Sequence, residues 1–196
     1  PFSDDYLILG TATQTWMFRG SPSSGATLDS VSNSIGVFNN ECWTMDGSGT
    51  LYFMNANGIY SFTGNSLNSL TADVFPRFNS EFTVAAGYYL SMAYDKYNNG
   101  IMISSTGTSD HKTLFFSLDT GGFFEMTFGD IGGITSAIFD ETKLIVGCKD
   151  GAIKYFDTDA KDDFSEYRYH VIDSAVQFGV FRLTNDELFT SLLESI

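Results

Sequence analysis

The sequence predicts an all-β fold built from a repeated unit, and three observations lead to that prediction. Aromatic residues make up 16% of the 196 residues, with 19 Phe and 10 Tyr, and such side chains favour strands. Four short apolar segments recur, and their equivalent residues Leu7, Leu51, Ile101 and Leu144 lie 44, 50 and 43 residues apart. Each segment is followed by a short turn and a second apolar segment. Three or four short strands per unit, at a period of about 45 residues, are typical of β-propeller blades. We therefore expect a β-propeller, or part of one, of about four blades.

The two apolar segments of each unit are predicted to form a hairpin. In the second and fourth units the turn contains Asn57-Gly58 and Asp150-Gly151. Asn-Gly and Asp-Gly pairs supply the positive φ angles that tight hairpins require. Gly58 and Gly151 are therefore predicted to be structural turn residues.

In the third unit the segment 117–124 reads Ser-Leu-Asp-Thr-Gly-Gly-Phe-Phe. It resembles the Asp-box of sialidase-type propellers, with Phe in the last two places. In that family the Asp-box is a hairpin turn remote from the catalytic centre. The resemblance implies that Asp119 and Gly121 hold a structural turn, and it carries no implication of hydrolysis.

A leading strand is predicted before the hairpin in the second, third and fourth units, over residues 42–46, 90–95 and 136–140. Each of these segments ends in an aspartate: Asp46, Asp95 and Asp140. An aspartate at a strand end accepts hydrogen bonds from the backbone of its own turn. These three residues are therefore predicted to hold turns. A fourth strand is visible only at 123–127 and 167–172.

The first unit has no leading strand, because the sequence starts at Pro1, shortly before Tyr6. A propeller that does not close its ring leaves a sheet edge exposed. We therefore expect the missing strand, and further blades, to lie upstream of Pro1. The polar stretch 20–33 is predicted to be a loop on the propeller rim.

The predicted blades span residues 1–172, and residues 173–196 are predicted to leave the propeller. Residues 176–183 alternate like one longer strand, with no blade partner in the sequence. A polar, acidic N-cap at 184–187 and leucines at helical spacing then predict a short helix to Ile196.

Charge and hydropathy exclude two classes of partner. Ten Lys+Arg against 24 Asp+Glu give a net charge of −14, which makes nucleic-acid binding unfavourable. No run of about 18 apolar residues is present, so no membrane-spanning segment is expected. Cys42 and Cys148 are too few for a disulfide framework or a zinc site, and both are expected to be buried thiols.

The sequence holds few groups suited to catalysis. Of its two histidines, His111 lies in a predicted turn and His170 in an alternating strand. No nucleophile elbow, zinc-protease motif or phosphate loop occurs, so we expect no enzyme activity and no cofactor. The densest acidic run offers four weak candidate metal ligands: Asp157, Asp159, Asp162 and Asp163. This run departs from the EF-hand pattern, so an acidic outer loop is the preferred interpretation.

Several segments resemble propeller proteins of tailed-phage virions: 6–11, 15–22, 34–36, 49–53, 57–62 and 178–183, the last followed by Asp186 and Leu192-Leu193. In those proteins the propeller is a structural module of the tail or nozzle, which contacts neighbouring tail subunits or carries fibres. The resemblance implies a non-enzymatic assembly module of a virion tail, assembled in the host cytoplasm within an oligomeric complex. It brings no catalytic residues.

Two alternatives come from other classes of protein. A carbohydrate-binding or glycan-cleaving propeller of a receptor-binding tail protein would use the supply of aromatic side chains, such as Trp16 and Trp43, with the abundant carboxylates. Most of these aromatics lie at positions expected to be core, so this is the weaker alternative. A cellular scaffold of the WD type would carry Trp-Asp dipeptides, and the sequence has none.

Overall fold

The computed structural model describes residues 6–128 and 132–156, together with the backbone of two further strands, Asp162–Ser165 and Arg168–Val171. The chain divides into two compact units, residues 1–159 and 160–196. The described residues form sixteen strands and only one short α-helix, which confirms the all-β prediction. No helix in this described part is long and apolar enough to cross a membrane.

The first unit contains four antiparallel sheets, which we number in chain order. Sheet 1 contains β1 (Tyr6–Gly10), β2 (Thr15–Arg19) and β3 (Thr27–Ser32). Sheet 2 contains β4 (Trp43–Met45), β5 (Leu51–Asn55), β6 (Gly58–Phe62) and β7 (Leu67–Ser69). Sheet 3 contains β8 (Tyr89–Asp95), β9 (Gly100–Thr106), β10 (His111–Ser117) and β11 (Phe123–Met126). Sheet 4 contains β12 (Ile134–Asp140), β13 (Lys143–Cys148) and β14 (Ile153–Tyr155).

Three smaller elements complete the described chain. A 3₁₀ turn, Pro22–Ser24, joins β2 to β3, and the helix α1 (Phe78–Glu81) lies between β7 and β8. In the second unit, β15 (Asp162–Ser165) and β16 (Arg168–Val171) form a two-stranded antiparallel hairpin. The predicted strand over 176–183 and the predicted helix to Ile196 lie outside the described residues.

The predicted leading strands and hairpins correspond to observed strands, whereas the predicted rim loop is partly wrong. The leading strands are β4, β8 and β12, and the hairpins are β1–β2, β5–β6, β9–β10 and β13–β14. Within the stretch 20–33, residues 27–32 form β3 and pair with β2. Polar side chains did not prevent strand formation there, because pairing with an apolar neighbour supplies the stabilisation.

The four sheets stack face to face in the order of the chain. Each of three hydrophobic clusters joins two consecutive sheets. Sheet 2 is buried on both sides, since Phe53 and Tyr60 pack toward sheet 1 while Met54 and Ile59 pack toward sheet 3. Alternate residues of a strand point to opposite faces, so a strand that is buried throughout belongs to a sheet covered on both faces.

The leading strands form the line along which the sheets meet. β12 packs against β8, and β8 packs against β4. The Tyr94 backbone N–H donates to Thr44 Oγ1 at 3.0 Å, and the Met92 N–H donates to the Glu41 carbonyl at 3.1 Å. The sheets of the described residues do not close into a ring.

The segment between β3 and β4 connects sheets 1 and 2 through hydrogen bonds. The Val37 N–H donates to the Thr11 carbonyl at 2.8 Å, and Thr15 Oγ1 donates to the Ile35 carbonyl at 2.9 Å. The Gly36 carbonyl accepts from Asn55 Nδ2 of sheet 2 at 3.2 Å. Gly36 lies so close to the β1–β2 turn that a side-chain carbon would overlap backbone atoms there.

Candidate interaction surfaces

The Asp46 side chain organises the turn between β4 and β5. Its Oδ1 accepts from the backbone N–H groups of Ser48 and Thr50, both at 2.9 Å, and from Ser48 Oγ at 2.7 Å. Its Oδ2 accepts from the Tyr52 hydroxyl at 3.0 Å. The carboxylate is therefore committed to its own turn and to the neighbouring strand β5.

This network also sets the protonation of its members. Partial burial disfavours the charged form of Asp46, but the hydrogen bonds from Ser48, Thr50 and Tyr52 together lower its pKa. Burial, with the adjacent Asp46 charge and hydrogen bond, raises the pKa of Tyr52 to about 12. Asp46 is thus ionised and Tyr52 neutral at pH 7, and neither is poised to transfer a proton.

Replacing Asp46 with asparagine should lower the free energy of unfolding at pH 7 by about 1 kcal/mol, because a charge-assisted acceptor is lost. A carboxyl with a lowered pKa in the fold stabilises it above its ordinary pKa of 3.8, and this contribution disappears as the pH falls through the folded value. The stability difference between wild type and D46N should therefore shrink below about pH 4. Urea unfolding at pH 7 and pH 3 measures it.

The matched control is Asp73→Asn, which makes the same charge change at an exposed aspartate before α1. D73N should leave the stability within about 0.5 kcal/mol of wild type at either pH. A D46N protein whose stability differs equally from wild type at both pH values would contradict the role given to this carboxylate.

Of the other aspartates predicted to hold their own turns, Asp95 does so through its side chain, whereas Asp119 bonds to a neighbouring turn and Asp140 takes part only through its backbone. Asp95 is buried and accepts from the backbone N–H groups of Tyr97 and Asn98 at 2.9 and 3.2 Å. Asp119 accepts from Asn99 Nδ2 at 2.6 Å, which ties the β10–β11 turn to the β8–β9 turn. Asp140 takes part in its turn through its backbone carbonyl, which accepts from the Thr142 N–H.

Two of the three predicted turn glycines, Gly121 and Gly151, lie in hairpin connections, whereas the third lies in a strand. Gly121 and Gly151 have φ values of 67° and 89°, in the region that favours glycine. The Gly121 N–H donates to the Ser117 carbonyl at 2.9 Å, which closes the β10–β11 turn. Gly58 begins β6, and a side chain there would overlap Thr71 Oγ1.

The candidate metal ligands cannot be placed in a site. Asp157 and Asp159 lie outside the described residues, and only the strand backbone is described for Asp162 and Asp163. Within residues 6–128 and 132–156, no group of three or more His, Cys, Asp and Glu side chains is arranged to hold a metal ion.

The two cysteines are free and buried, which confirms their prediction as buried thiols. Burial raises the pKa of the Cys42 thiol to about 12, and burial likewise raises the pKa of Cys148. Both thiols are therefore protonated at neutral pH and are poor nucleophiles. His111 is exposed at the start of β10.

An open cleft of about 370 Å³ lies where the leading strands β4, β8 and β12 meet. Asp46 and Lys96 bring opposite charges to it, and Tyr94 and Phe139 line it with aromatic rings. Burial, followed by repulsion from Asp46, Asp95 and Asp119, raises the pKa of Tyr94. The Asp46 carboxylate already accepts four hydrogen bonds, so the cleft offers no general base from this residue.

The face of sheet 4 that points away from sheet 3 carries exposed apolar side chains. The strand register places Ile138, Ile145 and Tyr155 side by side across the three strands. Ile153 stands beside this row and is 80% exposed, while Ile138 and Tyr155 are also exposed. At one end of the face, the Lys143 ammonium lies 4.0 Å from the centre of the Tyr155 ring.

Sheet 1 has a similar outer face at the opposite end of the stack. Its inner face packs Ile8 and Met17 against sheet 2. The strand register places the remaining large side chains together on the other face: Leu7, Leu9, Trp16, Phe18 and Leu28. We call these two surfaces the end faces of the stack.

The end faces were not assigned as a site from the sequence, although a signal was present. β1 and β13 are apolar at both odd and even positions, in the segments Tyr-Leu-Ile-Leu and Leu-Ile-Val. A half-exposed strand alternates apolar and polar residues, so continuous apolarity indicates that both faces require covering.

No family model matches the chain, and no curated protein is significantly similar to it in sequence. Residues 6–128 and 132–156 form an all-β unit of consecutively stacked antiparallel sheets, with apolar side chains on the outer faces of its first and last sheets.

Proposed function

We propose that this chain is a non-enzymatic assembly module, which binds neighbouring proteins of a virion complex such as a phage tail. The pair of apolar end faces is the observation that carries the proposal. Sheets 2 and 3 bury apolar side chains on both faces, whereas Ile153, Tyr155 and Leu28 on the end sheets are exposed. Contiguous exposed apolar surface is typical of protein interfaces, because its burial contributes roughly 25 cal/mol per Å².

We further propose that the four sheets are consecutive blades of a partial β-propeller. Antiparallel order within each sheet, sequential stacking and adjacent leading strands support this assignment. In a propeller each sheet packs between two neighbours, so sheets 1 and 4 would each gain one. Neighbouring subunits of the assembly, together with the further blades expected upstream of Pro1, are the proposed sources of that cover.

The virion assignment rests on the resemblance of the segments 6–11, 15–22 and 178–183 to propeller proteins of tailed phages. The net charge of −14 adds a constraint on partners, since a strongly acidic surface attracts basic surfaces and repels other acidic ones. We therefore propose partners that present an apolar patch with a basic rim, in a complex assembled in the host cytoplasm.

The proposal predicts that lysines on the sheet 4 end face will weaken assembly at least tenfold. The Ile138→Lys/Ile153→Lys double variant places two charges on the exposed apolar face, where burial against a partner would leave them unpaired. Sedimentation velocity of the chain with the purified structural proteins of its source particle measures complex formation. We expect a complex with wild type and at least a tenfold weaker one with the double variant.

Val74→Lys is the control, because Val74 is comparably exposed but lies outside both end faces. It should bind like wild type. A wild-type chain that remains a monomer with every structural protein would contradict the assembly proposal. Binding on a glycan array or release of reducing sugar would instead favour the glycan-directed alternative.

A further inference from the structure

The chain contains two Asn-Gly pairs, Asn57-Gly58 and Asn99-Gly100, in equivalent backbone settings. Each asparagine is the last residue of a turn between two antiparallel strands, and each glycine is the first residue of the second strand, β6 or β9. Both glycines pair with the last residue of the strand before the turn. The two pairs therefore share their sequence and their place in a hairpin. They differ in what holds the asparagine side chain.

The Asn57 side chain is exposed in the two-residue turn between β5 and β6. The backbone around it is fixed, because its N–H donates to Asn55 Oδ1 at 2.8 Å. The Asn79 amide, with its Nδ2 facing the turn, donates to the Asn57 carbonyl at 3.1 Å. Within the described residues, however, the Asn57 carboxamide itself has no hydrogen-bond partner. Nothing among these residues opposes its rotation toward the backbone nitrogen of Gly58.

The Asn99 side chain, by contrast, is held by both of its polar atoms. Its Nδ2 donates to Asp119 Oδ1 at 2.6 Å, and its Oδ1 accepts from the Tyr94 hydroxyl at 3.3 Å. The residue is also half-buried. Rotation of this carboxamide toward Gly100 must break a hydrogen bond to a carboxylate, which is among the stronger hydrogen bonds in proteins.

We propose that Asn57 is a site of spontaneous deamidation, from which the matched Asn99 is protected. The Gly58 backbone nitrogen, after losing its proton to base, attacks the side-chain carbonyl carbon of Asn57. A C–N bond forms, the bond from this carbon to Nδ2 breaks, and Nδ2 leaves as ammonia after taking a proton from water. A second water opens the five-membered imide at either carbonyl and yields aspartate or isoaspartate. The reaction consumes only water, and glycine favours it because no side chain lies beside the attacking nitrogen.

The product changes both the charge and the backbone of the turn. Either product adds a negative charge to a chain that already carries −14. Isoaspartate also lengthens the main chain by one carbon and converts the former Asn57 carbonyl into a carboxylate. That carbonyl and the Ala56 carbonyl are the two acceptors of Asn79 in α1. Isoaspartate would therefore alter how α1 is held, and Phe78 of this helix lies in the core between sheets 2 and 3.

The experiment compares the two pairs within one molecule. The native chain is incubated at pH 8 and 37 °C, digested with pepsin at acidic pH, and analysed by mass spectrometry for replacement of NH₂ by OH. We expect deamidation at Asn57 to be at least about tenfold faster than at Asn99, since only the second must first break a hydrogen bond to a charged group. In guanidinium chloride, where neither side chain is held, the two rates should become similar.

Three variants test the cause of the difference, with circular dichroism confirming that each is folded. Asn57→Gln should stop the reaction at this position over the same period, because its longer side chain would have to close a six-membered ring. Asp119→Ala removes the acceptor of Asn99 Nδ2 and should accelerate deamidation at Asn99. Asp119→Asn is its matched control, which removes the charge but keeps an oxygen acceptor, and should accelerate Asn99 less.

Three outcomes would overturn the proposal. Equal rates at Asn57 and Asn99 in the native chain would mean that side-chain restraint does not select the site. An Asn57 that reacts in guanidinium chloride but not in the native chain would mean that the hairpin backbone protects it. An Asn99 that stays unreactive in D119A would contradict protection by Asp119. The modification needs no partner, so each of these outcomes leaves the assembly function to be decided by sedimentation.

Discussion

Replacing Phe53 with alanine should lower the free energy of unfolding by about 3–5 kcal/mol, the range for deleting a buried aromatic ring. Phe53 is 0% exposed and lies in the cluster that joins sheets 1 and 2. Its ring stacks on Tyr60 with centroids 5.7 Å apart. Removing the ring leaves a cavity between two sheets whose backbones are fixed by their own hydrogen bonds. Equilibrium urea unfolding followed by far-UV circular dichroism measures the change.

Phe124→Ala is the matched control, because it deletes the same ring at a position on β11 that is 52% exposed. We expect F124A to cost less than about 1 kcal/mol, since most of its ring is already in water. Equal losses in the two variants would mean that the sheet 1–sheet 2 cluster does not contribute as its burial indicates.

The Gly36→Ala variant should be the second most destabilised, with a loss of about 3 kcal/mol, the upper end of the usual range for overpacking. A methyl group at this position would overlap the backbone of Thr11, Ala12 and Thr13. Backbone atoms of a hydrogen-bonded turn cannot rotate away as a side chain does. The loop must therefore move, and the hydrogen bond from Asn55 Nδ2 to the Gly36 carbonyl would be broken or weakened.

Gly47→Ala separates this steric effect from the general effect of adding a methyl group. Gly47 has no atom within 4 Å of the added carbon and is exposed. It should change the unfolding free energy by less than about 0.5 kcal/mol. Thermal unfolding of G36A and G47A in parallel tests the pair, and similar midpoints would contradict the close approach.

The sequence was most informative where local chemistry determines structure. The Asp150-Gly151 turn was predictable because few residues other than glycine adopt positive φ, and Gly151 does so. Asp46 and Asp95 hold their turns by short-range hydrogen bonds. In the β5–β6 hairpin the loop is formed by Ala56 and Asn57, and Gly58 already belongs to β6. β3 was missed because its Asp and Ser residues disfavour strands and outweigh the favourable Thr27 and Val31. It forms through pairing with β2, a contact that the local sequence does not encode.

The candidate surfaces could be predicted from the sequence less well than the turns. Trp43 and Phe53 lie on one face of sheet 2 and are both aromatic, yet one is half exposed and the other buried. The difference depends on which strand of the neighbouring sheet lies opposite each residue. Likewise, the apolar runs in β1 and β13 indicate that both faces of these strands require covering. Only the stacking order shows that their sheets, 1 and 4, are the first and last of the stack.

The stacking order also determines how the first unit comes apart. Each core cluster joins two consecutive sheets, so among residues 6–128 and 132–156 an end sheet is held by one interface and an inner sheet by two. Such a stack is a nearest-neighbour array, in which local unfolding begins at either end. Each end sheet that unfolds loses the interaction free energy of one sheet–sheet interface. A subunit that covers an end face removes a free end from the array. Assembly would therefore suppress fraying inside the chain as well as hold the two proteins together.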